Sequence, residues 1–87
     1  SGPAIHSLLS VHMSAVAITP ASPAAGRRII DLQLRTRTGA NAVSIERGEE
    51  TIVNPGPQEM IQAGDRLLLL GSQEQIEKAA QLVTGLQ

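Results

Sequence analysis

Residues 63–72, Ala63-Gly64-Asp65-Arg66-Leu67-Leu68-Leu69-Leu70-Gly71-Ser72, carry a turn, a strand and a helix start in ten positions. Gly64-Asp65 is a turn pair in which the Asp65 side-chain oxygen holds the bend, a structural role rather than a catalytic one. Arg66 to Leu70 shows no polar alternation along its leucines, so this strand belongs in the middle of a sheet. Ser72 followed by Gln75 is a capping box opening a helix whose apolar face is Ile76, Ala79, Ala80 and Val83, and Gly85 stops it. On the exposed side Glu74 and Lys78 form an i,i+4 pair, contributing about 0.3–0.5 kcal/mol.

Upstream of the leucines, Gln58 to Ala63 leads into the turn through Met60 and Ile61, and Pro55-Gly56-Pro57 forbids ladder hydrogen bonds. Val43 and Ile45 alternate with Ser44 and Glu46 as a strand, Arg47-Gly48-Glu49-Glu50 is a polar hairpin loop, and Thr51 to Asn54 returns antiparallel. Thr36 to Ala40 reads as a turn around Gly39. Arg27 to Arg35 fits two periods, because Ile30, Leu32 and Leu34 alternate like a strand while Ile30 and Leu34 also share a helical face; pattern alone favours the strand. Residues 20–26 form a loop rich in Pro, Ser, Ala and Gly. Before it, His12 to Thr19 alternates as a strand with Met13, Ala15 and Ala17 on one face and Ser14, Val16 and Ile18 on the other. Residues 1–11 are set apart as a tag remnant, Ser1-Gly2-Pro3, followed by a linker, leaving a domain over 12–85.

The order of elements predicts an α+β domain with a small, mostly antiparallel sheet and two helices. At 87 residues it buries only about 60–65% of the surface its unfolded chain exposes. The chain has no Phe, Tyr or Trp, so aliphatic side chains alone fill the core, and pairing with a second copy is the expected source of further burial. A net charge of −1 with no basic stripe, together with the lack of aromatic stacking platforms, argues against nucleic acid as a partner. The absence of Cys removes disulfides, thiolate catalysis and Cys-ligated metals and suits a reducing compartment. His6 and His12 do not match metal-ligand spacing, and Glu46, Glu49 and Glu50 read as a solvated acidic turn, so no metal site is expected. No Ser sits in a nucleophile elbow, no catalytic residue is assigned, and the chain is not expected to be an enzyme.

Taken together, Gly26, Leu34-Arg35, Thr38-Gly39-Ala40, the Arg47-Gly48 hairpin, Asn54-Pro55-Gly56-Pro57 and Gly64-Asp65-Arg66-Leu67-Leu68-Leu69-Leu70-Gly71 resemble the RCK C-terminal (TrkA-C) family over about residues 12–85. The resemblance implies a short helix rather than a strand after Gly26, over Arg27 to Gln33. It also implies a dimeric regulatory lobe of a potassium channel, potassium uptake system or cation:proton antiporter, cytoplasmic at the inner membrane, with a membrane-embedded transporter on the same chain. No G-x-G-x-x-G fingerprint is present, so no dinucleotide cofactor is assigned.

Some relatives bind cyclic di-AMP between two lobes through two aliphatics, an Arg, five residues and an Asn followed by aliphatics. Ile29-Ile30, Arg35 and Asn41 fit this pattern, with Ala42 and Val43 following and Pro55 offering an apolar face. Ala42 departs from it, standing where a larger aliphatic is preferred. An Arg fork suits a phosphate, and an Asn can read an adenine edge. Against this stand blander readings of the same residues. Arg35 and Arg37 can be solvated or paired with Asp31 or Glu46, Asn41 can serve the strand start, and the whole domain can be a dimerisation lobe without a ligand.

Overall fold

The computed structural model describes residues 11–86. His6 and most of the expected linker lie outside the described residues. Four strands form one antiparallel sheet in the order β1-β4-β2-β3: β1 His12–Ala17, β2 Asn41–Arg47, β3 Glu50–Val53 and β4 Arg66–Gly71. The leucine strand β4 lies inside, between β1 and β2, as its lack of alternation requires. Three helical segments accompany the sheet: α1 Ile29–Leu32, α2 Leu34–Thr38 and α3 Gln73–Thr84.

Residues paired directly across neighbouring strands share a face. One face carries Val16, Leu67, Ile45 and Ile52 in one row and Ser14, Leu69 and Ala42 in the next. Helix α3 packs across β1 and β4, sealing Ile45, Leu67, Leu69, Ala79 and Val83 completely. Ala24, Ala40 and Ala79, all fully buried, let backbone segments approach closely where an aromatic core would hold them apart. The opposite face carries Met13, Leu70 and Asn41, then Ala15, Leu68, Ser44 and Val53. Among the described residues no helix packs across it, and Met13 and Val53 are 60% and 69% exposed.

The segment after Gly26 is helical, as the family resemblance implies and against the strand that pattern alone favours. The turn expected over Thr36 to Ala40 is corrected: the helical segment comes as two short pieces, so Thr36 to Thr38 belong to α2 and only Gly39 turns the chain. Gln33 separates the pieces in the left-handed region, φ 47°, a conformation costing a non-glycine residue about 1 kcal/mol or more. The register between β2 and β4 shifts between Ala42 and Ser44. Val43 is therefore the extra residue of a bulge, and Asn41 lies on the same face as Ser44 instead of the opposite one. Simple alternation gives no sign of this.

The capping box of α3 is present, with Gln75 N–H donating to Ser72 Oγ at 3.1 Å and Ser72 N–H to Gln75 Oε1 at 2.9 Å. Gly85 closes the helix in the left-handed region, and Lys78 Nζ lies 3.5 Å from Glu74 on the exposed side. Gly39 has φ +84°, and a Cβ there would lie 2.5 Å from Gln75 Nε2. Gly39→Ala therefore strains the α2 terminus and pushes on the cap of α3 together. It is expected to cost about 1–2 kcal/mol, read as a lowered urea midpoint by far-ultraviolet circular dichroism.

Candidate functional site

A hydrogen-bonded clasp fixes the elements from which the site is built. Asp65, 2% exposed, accepts Arg47 Nε on Oδ1 and Arg47 Nη2 on Oδ2, both at 2.9 Å. Its Oδ2 also accepts the backbone N–H of Gln62 at 2.8 Å, the turn-holding role expected of it. Arg47 Nη2 reaches the Met60 carbonyl at 2.9 Å, and Nη1 lies 3.6 Å from Glu59. The hydrogen bonds from Arg47 hold the Asp65 carboxyl below the ordinary aspartate range against the opposing effect of burial, and the same bonds raise the Arg47 guanidinium.

Arg47 reads in sequence as a hairpin residue, and its clasp role is missed there. The signal lies in the register, since Glu46 pairs with Arg66 and the next residues along, Arg47 and Asp65, must then be neighbours. The clasped segment in turn carries α1. Ile61 N–H donates to the Arg27 carbonyl, Gly26 N–H to Ile61, Ile29 N–H to Glu59 and Ile30 N–H to Pro57, at 2.7–2.9 Å.

Held in this way, α1, α2 and the start of β2 enclose a groove of about 330 Å³. Ile29, Ile30, Arg35, Asn41 and Ala42 all line it, together with Gln33, Leu34, Thr36 and Ala40. Two of the seven expected site residues are elsewhere. Val43 sits at the bulge, its carbonyl accepting the N–H of Asn54 at 2.9 Å, and neither Val43 nor Pro55 lines the groove. Gln33, by turning the chain between the two helical pieces, brings Arg35 round to the groove that Ile29 and Ile30 line.

Ile30 is 51% exposed and Arg35 is exposed. Among the described residues Arg35 forms no ion pair with Asp31 or Glu46, so its guanidinium is free for an anion. The groove thus offers aliphatic side chains, one planar cation and one amide. That set can grip a phosphate and lay a flat ring against the isoleucines. Among the described residues no group of three or more His, Asp or Glu gathers as a metal site, and no helix is long and apolar enough to cross a membrane.

Fold and groove together define a two-layer α+β lobe with one sheet face left uncovered by the described residues and a basic cleft beside it. The chain belongs to the TrkA-C domain family, which it matches over residues 13–84. It is 40% identical over 70 residues to the Ktr system potassium uptake protein C of Bacillus subtilis (strain 168), covering 80% of this chain and 32% of that protein. The chain therefore spans about a third of that relative.

Among solved structures it is similar to the RCK C domain of the potassium transport protein KtrA in complex with cyclic diadenosine monophosphate. The TM-score is 0.77 at 26% identity, and the match covers 92% of both chains. It is also similar to the RCK_C domain dimer of S. agalactiae BusR in complex with c-di-AMP, with TM-score 0.69 and 29% identity over 76% of this chain and 87% of that one. BusR has been solved with its promoter DNA as well, and there the match covers 32% of the BusR chain.

Proposed function

We propose that this chain is the non-catalytic, ligand-sensing lobe of a bacterial potassium or cation transport protein. In this reading it works as a homodimer and binds cyclic di-AMP in paired copies of the Arg35 groove. The observation that carries the reading is the convergence of Ile29, Ile30, Arg35, Asn41 and Ala42 on one groove. Cyclic di-AMP has two identical halves, and a two-fold dimer supplies two identical half-sites, one Arg35 to each phosphate.

The uncovered sheet face supports the same geometry. Met13, Leu68, Leu70 and Val53 give it an apolar surface, and Asn41 belongs both to that face and to the groove. A second copy seated there places its own groove close by. The bound nucleotide then favours one inter-lobe geometry over another and biases a membrane-embedded pore linked to the lobe, on the cytoplasmic side of the inner membrane. With a formal charge of −1, the lobe itself is assigned no DNA contact.

Thermal unfolding with and without cyclic di-AMP tests the reading. A ligand at about a hundred times its dissociation constant adds about 2.7 kcal/mol, a rise of roughly 10–20 °C for a domain of this size. No rise near about 1 mM ligand leaves the lobe as a dimerisation element only. A monomer by light scattering, with concentration taken from refractive index because the chain lacks aromatics, contradicts both.

A further inference from the structure

Residues i and i+2 on a helix lie about 200° apart, so Arg35 and Arg37 leave α2 on nearly opposite sides. Arg35 lines the groove described above. Arg37 lines a second one, of about 430 Å³, between α2, the loop before α1, and α3. There it is joined by Arg27 from the loop and Lys78 from α3, with Asp31 the one acidic group on the wall. The lining thus carries three cations against one carboxylate.

Arg27 and Arg37 are exposed, and among the described residues neither forms an ion pair. Among the described residues the one ion pair of Lys78 is the 3.5 Å contact with Glu74 at the surface. Such a contact is weak and readily exchanged. The rest of the lining is Pro23, Leu32 and Leu82 with the amide of Gln81. The volume lies within the range of small-molecule sites.

From this arrangement we infer that the second groove is an anion site for a small soluble phosphorylated molecule with a ring. Its phosphates sit on Arg27, Arg37 and Lys78, and its ring lies on Pro23, Leu32 and Leu82. Two arginine forks match phosphate oxygens bidentately, and the lysine adds a third, adjustable charge. The same short helix α2 forms a wall of both grooves, so occupancy of the second bears directly on the segment that carries Arg35. This inference does not depend on the identity of the ligand in the first groove.

Nuclear magnetic resonance titration of the 87-residue chain with inorganic pyrophosphate and, separately, with adenosine diphosphate tests it. Both are expected to give saturable amide shifts confined to residues around 23–37 and 78–82, with dissociation constants on the order of 0.1–1 mM. Adenosine diphosphate is expected to bind several-fold tighter, because only it brings a ring. The double variant Arg27→Gln/Arg37→Gln, whose side chains lie outside the core, is expected to weaken both about tenfold or more, and the exposed Arg66→Gln to leave both unchanged. The inference is overturned by no saturation at residues 78–82 at about 10 mM, by equal affinity of the two probes there, or by shifts at residues 78–82 that survive the double variant. Binding to phosphatidylglycerol vesicles without binding to adenosine diphosphate overturns it as well, since the ligand is then a lipid headgroup.

Discussion

Asp65→Ala is expected to remove about 2–4 kcal/mol of folding free energy, because it deletes a buried carboxylate that receives two Arg47 hydrogen bonds and one from Gln62 N–H. A domain of this length has roughly 4–13 kcal/mol in total. The loss therefore shows as a fall of roughly 10–25 °C in melting temperature, or as failure to fold at 37 °C. Asp65→Asn keeps an acceptor for Gln62 but not the charge, and is expected to fall between the two. Arg47→Ala leaves Asp65 charged and without its cation, and its loss should be comparable. The double variant should cost far less than the sum of the singles. A loss below about 0.5 kcal/mol for Asp65→Ala would mean that the clasp contributes no more than a surface pair.

The clasp also sets an acid limit. The Asp65 pKa is lowered in the folded state, so unfolding makes this group bind protons more readily. Its contribution to stability is complete above the unfolded aspartate value, about 3.9, and is lost as pH falls through the lower folded value. Urea midpoints measured from neutral pH downward should stay level with respect to Asp65 until near pH 4–5 and then decline. In Asp65→Asn that part of the decline should vanish.

Arg35→Ala is the second large effect, and it separates binding from folding. The side chain is exposed and unpaired among the described residues, so the variant should unfold within about 0.5 kcal/mol of the wild type. Each symmetric ligand loses two charge-assisted contacts, one per protomer, and a weakening of 100-fold or more, about 2.7 kcal/mol, is expected for cyclic di-AMP. Calorimetric titration reads this directly. Arg35→Lys keeps the charge but not the fork and should recover part of the loss. Unchanged affinity in Arg35→Ala would place the nucleotide away from this groove. Asp65→Ala, if it remains folded, should also weaken binding, since the clasped segment holds Ile29 and Ile30 through Glu59 and Pro57.

Much of the fold is written in local signals. The uninterrupted leucines require an interior strand, Ser72 with Gln75 starts α3 and Gly85 ends it, and Gly48 closes the β2–β3 hairpin. Each depends on residues within a few positions of one another. The helical character of residues 29–38 is not local in this sense, because Ile30, Leu32 and Leu34 alternate like a strand while only Ile30 and Leu34 also share a helical face. Packing decided it, burying Leu32 and Leu34 while Ile30 stays out.

The groove divides in the same way. The sequence by itself determined which chemistry is available, an arginine, an amide and aliphatics at set spacing, because side-chain type and order are all that such a pattern holds. Only the tertiary structure decided which of these residues meet. The left-handed Gln33 turns α2 against α1, and the bulge at Val43 rotates Asn41 onto the open face while leaving Val43 and Pro55 outside the lining. The leucine strand fixes the register that places Asp65 beside Arg47, and the resulting ion pair spans 18 positions of sequence. No neighbouring residue announces that pair, since strand pairing, a long-range event, is what creates it.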